Sequence, residues 1–222
     1  MKAIVNSPAQ NLEASLAFYR KLEYRTKTID DVIYAIDGEL IIRLDTRQNA
    51  RAGIILYTDL NNFSFDHFEK IHGIWTGVDP NGIYVFVKDF SEYIQIKDEK
   101  SKALTGNFAG ISIETLKFEG TIRYWEQFGY RVIMGSQAQG WIQMSSENNI
   151  DIGIMKYGSC PHSFRIPSLT FFNGPNNVAI IEKIKNSGIE IAENITHFNK
   201  EGIVDNIILA DPGGYGMFVF SD

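Results

Sequence analysis

Apolar residues follow two rhythms along this chain. Between Asn11 and Leu22 they recur at Leu12, Leu16, Tyr19 and Leu22, steps of four, three and three that place them on one face of a helix. Outside that stretch the rhythm shortens to the apolar runs and period-two alternation of strands. One run, Ala3-Ile4-Val5, precedes the helix; strands are predicted after it over 24–29, 32–36 and 39–45, the last two joined by the turn Asp37-Gly38. Asn11 is the predicted N-cap.

The pattern is then written again. NLEASLAFYRKLEY at 11–24 returns without a gap as KFEGTIRYWEQFGY at 117–130, so that Leu12, Leu16, Tyr19 and Leu22 fall on Phe118, Ile122, Trp125 and Phe128. Gly129 suits the left-handed end of the second helix, where Glu23 in the first copy does so at higher cost. A strand over 108–113 precedes this helix, and strands over 130–134, 140–145 and 150–155 follow it. The unit is βαβββ, about 50 residues long, within the range of structural repeats. Two weaker copies fill the gaps. One has a strand over 52–58, a short helix over 63–72 carrying Glu69-Lys70-Ile71, and strands over 74–78, 83–88 and 93–97. The other has a strand over 166–172, a helix over 178–187 carrying Glu182-Lys183-Ile184, and strands over 189–192, 203–210 and 216–220. The modules are 1–48, 51–98, 107–157 and 164–222. They group into domains 1–100 and 105–222, each expected to own a core, with the polar stretch 97–107 as linker. Asp79-Pro80-Asn81-Gly82 and Asp211-Pro212-Gly213-Gly214 read as turns and nothing more.

Charge and composition narrow the function. The 222 residues carry a formal net charge of −6 and no Lys/Arg run, which argues against nucleic acid. No apolar run approaches the ~20 residues of a membrane helix, and Asn6-Ser7-Pro8 interrupts the N-terminus before a signal-peptide core forms. The single cysteine, Cys160, forms no internal disulfide, which fits the cytoplasm. It reads as a spectator thiol, with His162 close in sequence only.

The helix signature NLEASLAFYRKL resembles that of the vicinal oxygen chelate superfamily, which includes glyoxalase I, bleomycin-resistance proteins and extradiol dioxygenases; DPGGYGMFVF is similar to its closing turn and final strand. The resemblance implies an α+β fold in which four βαβββ modules form two glyoxalase-like domains, with curled mixed sheets around a cavity and helices outside. It also implies a divalent metal held by His or Gln from first strands and Glu from a last strand, able to bind two neighbouring substrate oxygens. Those ligand positions fall on Ile4 and Gly110 in first strands and on Phe218 in the last strand of the fourth module. In the second module the Glu position aligns with Gln95, or with Ile96 if no residue is deleted from the turn. None of the four histidines lies on a first strand: His67 and His72 belong to the predicted short helix, and His162 and His197 to linker and turn. No metal and no other cofactor is therefore expected.

A cavity remains. Alternation places Gly110, Ser112 and Glu114 on the cavity side, opposite Ile111 and Ile113, and likewise Trp141, Gln143 and Ser145, opposite Ile142 and Met144. Asp151, Ser168, Thr170 and Phe218 join them. The first half offers Asn6, Arg43, Tyr57 and Gln95. An indole, a ring and a few polar groups suit a small-molecule pocket. The expected ligand-binding residues are thus Ser112, Glu114, Trp141, Gln143, Thr170 and Phe218, with Arg43 and Gln95 in the first half, and no catalytic residue. The function read from this is a small-molecule-binding protein of the bleomycin-resistance type, monomer or homodimer. The alternatives are a lyase or dioxygenase with an atypical metal set or with Glu114 as general base, and a scaffold with collapsed cavities that binds another protein.

Overall fold

The computed structural model describes residues 1–38, 40–96, 103–147, 150–165 and 167–221. The start of the predicted strand at Glu39, most of the linker 97–107 and the strand start at Ile166 lie outside them. The first half contains β1 (Lys2–Pro8), α1 (Leu12–Lys21), β2 (Arg25–Ile29), β3 (Val32–Asp37), β4 (Leu40–Asp45), β5 (Gly53–Thr58), β6 (Glu69–Ile71), β7 (Ile74–Val78) and β8 (Tyr84–Asp89). The second half contains β9 (Phe108–Thr115), α2 (Phe118–Glu126), β10 (Arg131–Ser136), β11 (Trp141–Ser145), β12 (Ile152–Lys156), β13 (Ser168–Phe172), α3 (Asn177–Asn186), β14 (Glu193–Ile195), β15 (Asn206–Ala210) and β16 (Gly216–Phe220).

Each half is one eight-stranded mixed sheet, ordered β2-β3-β4-β1-β5-β8-β7-β6 and β10-β11-β12-β9-β13-β16-β15-β14. The modules pair in chain order through antiparallel first strands, β1 with β5 and β9 with β13. The fold is α+β and glyoxalase-like. α1 starts where its sequence says, with Asn11 Oδ1 accepting the Ala14 N–H at 3.1 Å. Glu23 does take the positive φ that Gly129 takes in the second copy.

The second module departs from the predicted βαβββ. The segment over 63–72 forms no helix. Asp59 accepts from the backbone and side chain of Asn61 and from the Asn62 side chain, and Ser64 bonds Asp66. These local bonds compete with helical ones, while Phe63 packs with Phe65 and Phe68, Phe65 stacks on Trp75, and Phe63 and Phe68 pack on Phe128, just after α2. Glu69-Lys70-Ile71 is an edge strand, and His67 and His72 lie outside any helix. The last strand of this module is β8. The predicted strand over 93–97 is irregular over its described part: Tyr93, Ile94 and Ile96 pack inward while Gln95 is exposed.

The two halves share one core. A single cluster runs through Tyr19, Leu22 and Tyr24 around α1, Trp125 and Phe128 around α2, Ile181 and Ile184 of α3, and the helix-side strand residues of both sheets. Two smaller clusters lie on the opposite, helix-free faces: Ile4, Tyr34, Ile36, Ile41, Ile55 and Tyr57 in the first half, and Ile195, Ile208, Phe218 and Phe220 in the second.

The turns predicted to be mere connections join the halves. Asp211 is buried, and its Oδ2 accepts from Ser7 Oγ at 2.6 Å and Tyr19 OH at 2.7 Å, both in the first half. Tyr215 OH donates to the carbonyls of Asn6 (3.3 Å) and Gly53 (2.7 Å). A Cβ at Gly213 would collide with Ser7 Oγ and the Pro8 carbonyl, so the close approach requires glycine. The other turn reaches the opposite way: Asn81 Nδ2 donates to Thr121 Oγ1 of α2 at 3.1 Å. Beside it, the Asp79 carboxyl is pushed up by burial, against hydrogen bonds from Ile83 and Asn81.

Candidate functional site

Sheet register defines which residues meet on the helix-free faces. In the first half one row runs Ile4–Ile55–Phe86, from β1 across β5 to β8. Its counterpart runs Gly110–Thr170–Phe218, from β9 across β13 to β16. These rows contain the positions where the resemblance calls for metal ligands, and Phe86 stands where Phe218 stands. Gln95 is therefore not a last-strand position, and neither half presents a ligand there. Gly110 answers to backbone demands: its φ is 138° and a Cβ would strike the Asp151 carbonyl. Ile and Phe offer no donor atom, and one threonine hydroxyl is a poor ligand set for a divalent transition metal. Among the described residues, no three of His, Cys, Asp and Glu gather as a metal site. The chain's residues do not fit the metal of the resembling family.

The polar residues of the second half's face are largely engaged with one another. Ser112 Oγ and Thr170 Oγ1 share a hydrogen bond of 2.7 Å. Gln143 Nε2 donates to Asp151 Oδ2 at 2.7 Å. Ser168 Oγ donates to the Arg165 carbonyl. Trp141, Met155 and Glu114 form one cross-strand row, Trp141 being 38% exposed. Glu114 Oε1 accepts the Gly158 N–H at 3.0 Å, fixing the turn that leaves β12. The register thus brings Ser112, Glu114, Trp141, Gln143, Thr170 and Phe218 onto one face. Arg43 is spent elsewhere. It donates to Asn6 Oδ1 at 3.1 Å and lies 3.5 Å from Asp45, which also pairs with Arg47. Burial would raise the Asp45 carboxyl, but the two guanidinium groups outweigh it and hold it below the usual range.

Both faces carry chain of their own. In the first half, Tyr93, Ile94 and Ile96 pack on the apolar cluster, with Tyr57 and Tyr93 edge to face at 5.3 Å. In the second, the segment after β12 crosses the sheet. Cys160 Sγ lies 3.1 Å from Met155 Sδ, and His162 and Phe164 then reach Phe218, each at 5.1 Å between ring centroids. Burial, aided by the charge of Glu114, pushes the Cys160 thiol up to about 11, so it stays a thiol at neutral pH. The sequence placed His162 in a linker, and nothing in its apolar pattern announced that the linker would cover the site.

A separate cavity of about 320 Å³ lies at the start of α2, between Leu116, Lys117, Gln137 and Lys156. It shares no lining residue with the rows above.

No family model matches the sequence, and no curated protein matches it. Solved structures do match. The chain is similar to the 2,3-dioxygenase LapB from Pseudomonas sp. KL28 (TM-score 0.55, 12% identity, 97% of this chain and 90% of that one). It is similar to the Mn(II)-bound glyoxalase from Novosphingobium aromaticivorans (TM-score 0.55, 13% identity, 97% and 79%). It is also similar to the 2,2′,3-trihydroxybiphenyl 1,2-dioxygenase from the dibenzofuran-degrading Sphingomonas wittichii strain RW1 (TM-score 0.50, 10% identity, 100% and 91%). At such identities the likeness is one of fold, which this chain shares with these dioxygenases and this glyoxalase.

Proposed function

We propose that this protein binds a small molecule without a metal, in the manner of the bleomycin-resistance branch, on the helix-free face of its second half. The observation that carries this reading is the pair of rows Ile4–Ile55–Phe86 and Gly110–Thr170–Phe218, which replace a ligand set with apolar and hydroxyl side chains. Fold alone assigns no chemistry, so the reading rests on these residues. Trp141 offers an exposed ring face, with Gln143 and Asp151 as polar groups beside it. The rival reading, a lyase or dioxygenase using Glu114 as base, has less support, because Glu114 is bonded to the Gly158 backbone. The partner is a small molecule rather than nucleic acid or membrane.

Two measurements test the proposal. Elemental analysis of protein purified without chelator should find no stoichiometric zinc, nickel, iron or manganese after dialysis; one retained equivalent would overturn it. Titration of tryptophan fluorescence against a panel of aromatic drugs and metabolites should give saturable binding in the wild type, with the signal reduced in Trp141→Phe. A panel that leaves the wild-type signal flat would sink the reading.

A further inference from the structure

The ring of His162 sits in an aromatic cage. Phe218 and Phe220 form the floor, parallel to within 7° and 5.4 Å apart. The imidazole stands on both, 5.1 and 5.2 Å away at 79° and 86°. Phe164 lies parallel to it at 6.3 Å, and Phe198 closes another side, also at 6.3 Å. Rings of this kind present negative faces that attract cations and polarised ring edges. The occupant is nevertheless lightly held. Its Nδ1 lies 3.0 Å from the carbonyl of the next residue, Ser163, within its own segment. The Ser163 N–H in turn donates to Glu193 Oε2 at 3.0 Å. The segment over 159–165 has no helix or strand of its own.

Glu193 ends the row that runs Phe218–Ile208–Glu193 across β16, β15 and β14. If the segment moves away, the cage keeps its floor of phenyl rings, and a carboxylate at its rim loses a donor. A neutral apolar guest would leave that charge uncompensated, whereas a cationic ring would satisfy both groups.

We propose that residues 159–165 are a displaceable plug, with His162 holding the place of a guest, and that the guest is an aryl or N-heteroaromatic cation seated on Phe218 and Phe220 and paired with Glu193. This rests on the metal-independent binding reading above and adds to it the ligand class and the gate. A plug lowers apparent affinity by the fraction of time the cage is open, so emptying a cage that is open a tenth of the time improves binding about tenfold.

The test is calorimetric titration with benzylamine, histamine and the neutral isostere benzyl alcohol. His162→Ala should bind the two cations about tenfold more tightly than wild type, and benzyl alcohol should bind more weakly than benzylamine to both proteins. Adding Glu193→Gln should abolish the gain, and Phe164→Ala should reproduce part of it should His162→Ala fold poorly. In the wild type, saturating benzylamine should speed tryptic cleavage after Arg165. If folded His162→Ala and Phe164→Ala bind no more tightly and Arg165 stays equally protected, the plug is structural. In that case a fluorescence response of Trp141 to another ligand would leave the binding reading standing; its absence would remove both.

Discussion

Asp211 shows what a single residue does here. Its carboxyl is buried, and burial raises its pKa even though Ser7, Tyr19 and the backbone of Tyr215 and Gly214 donate to it. A carboxyl whose folded pKa lies above its unfolded value of about 3.9 binds its proton more tightly in the folded state. The stability it lends is complete below about pH 4 and is lost as the pH rises through the raised folded value. Asp211→Asn has no such proton. Wild type should therefore lose stability relative to Asp211→Asn as the pH rises above about 4, as followed by urea unfolding; a pH-independent gap would mean that Asp211 ionises equally in both states. Gly213→Ala, which forces a methyl group against Ser7 and Pro8, should cost about 1–3 kcal/mol. From the sequence these residues were only turn-formers. Local chemistry explained the turn completely and gave no sign that its far side faced the other half of the molecule.

At the level of elements, the duplicated helices were legible because their apolar spacing persists through substitution. Ser15 and Tyr19 of α1, like Thr121 and Trp125 of α2, are buried at equivalent places. Leu16 and Ile122, on the same predicted faces, are only half-buried. Trp125→Ala should therefore cost ~3–5 kcal/mol and Leu16→Ala or Ile122→Ala ~2 kcal/mol, by thermal or chemical melts. Equal costs at all three would mean that the helix faces are misassigned. The Glu-Lys-Ile triplets mark the limit of such reading: residues 182–184 are helical and residues 69–71 are an edge strand. Three residues carry too little propensity to resist their context. The phenylalanines at 63 and 68 decide the matter by packing on Phe128 in the other half, which alternation within one module cannot reveal. The site was half legible for the same reason. Strand parity put Ser112, Gln143, Thr170 and Phe218 on one face, but the plug arrives from a segment with no periodicity.

For the whole molecule, a core cluster runs through both halves, each of which was expected to own one. Tyr19 and Ser7 need Asp211; Asn6 and Gly53 receive Tyr215; Phe63 and Phe68 need Phe128. The end of the linker is tied to the first half as well, with Leu104 N–H donating to Leu22 O at 2.8 Å and Ala103 N–H to Asp37 Oδ1 at 3.1 Å. Separating the halves would expose the apolar faces of α1 and α2 and strand a buried carboxylate with two fewer donors. Either half alone has the length of a domain, so size is not the obstacle; what each half lacks is a cover for its buried polar and aromatic groups. Fragments 1–102 and 103–222 expressed apart should give poorly dispersed amide NMR spectra and no cooperative melt. Mixed or co-expressed, they should form a one-to-one complex with the melting transition of a single unit. Two well-dispersed spectra with independent transitions would show that the interlocking turns decorate two self-sufficient domains instead of completing one core.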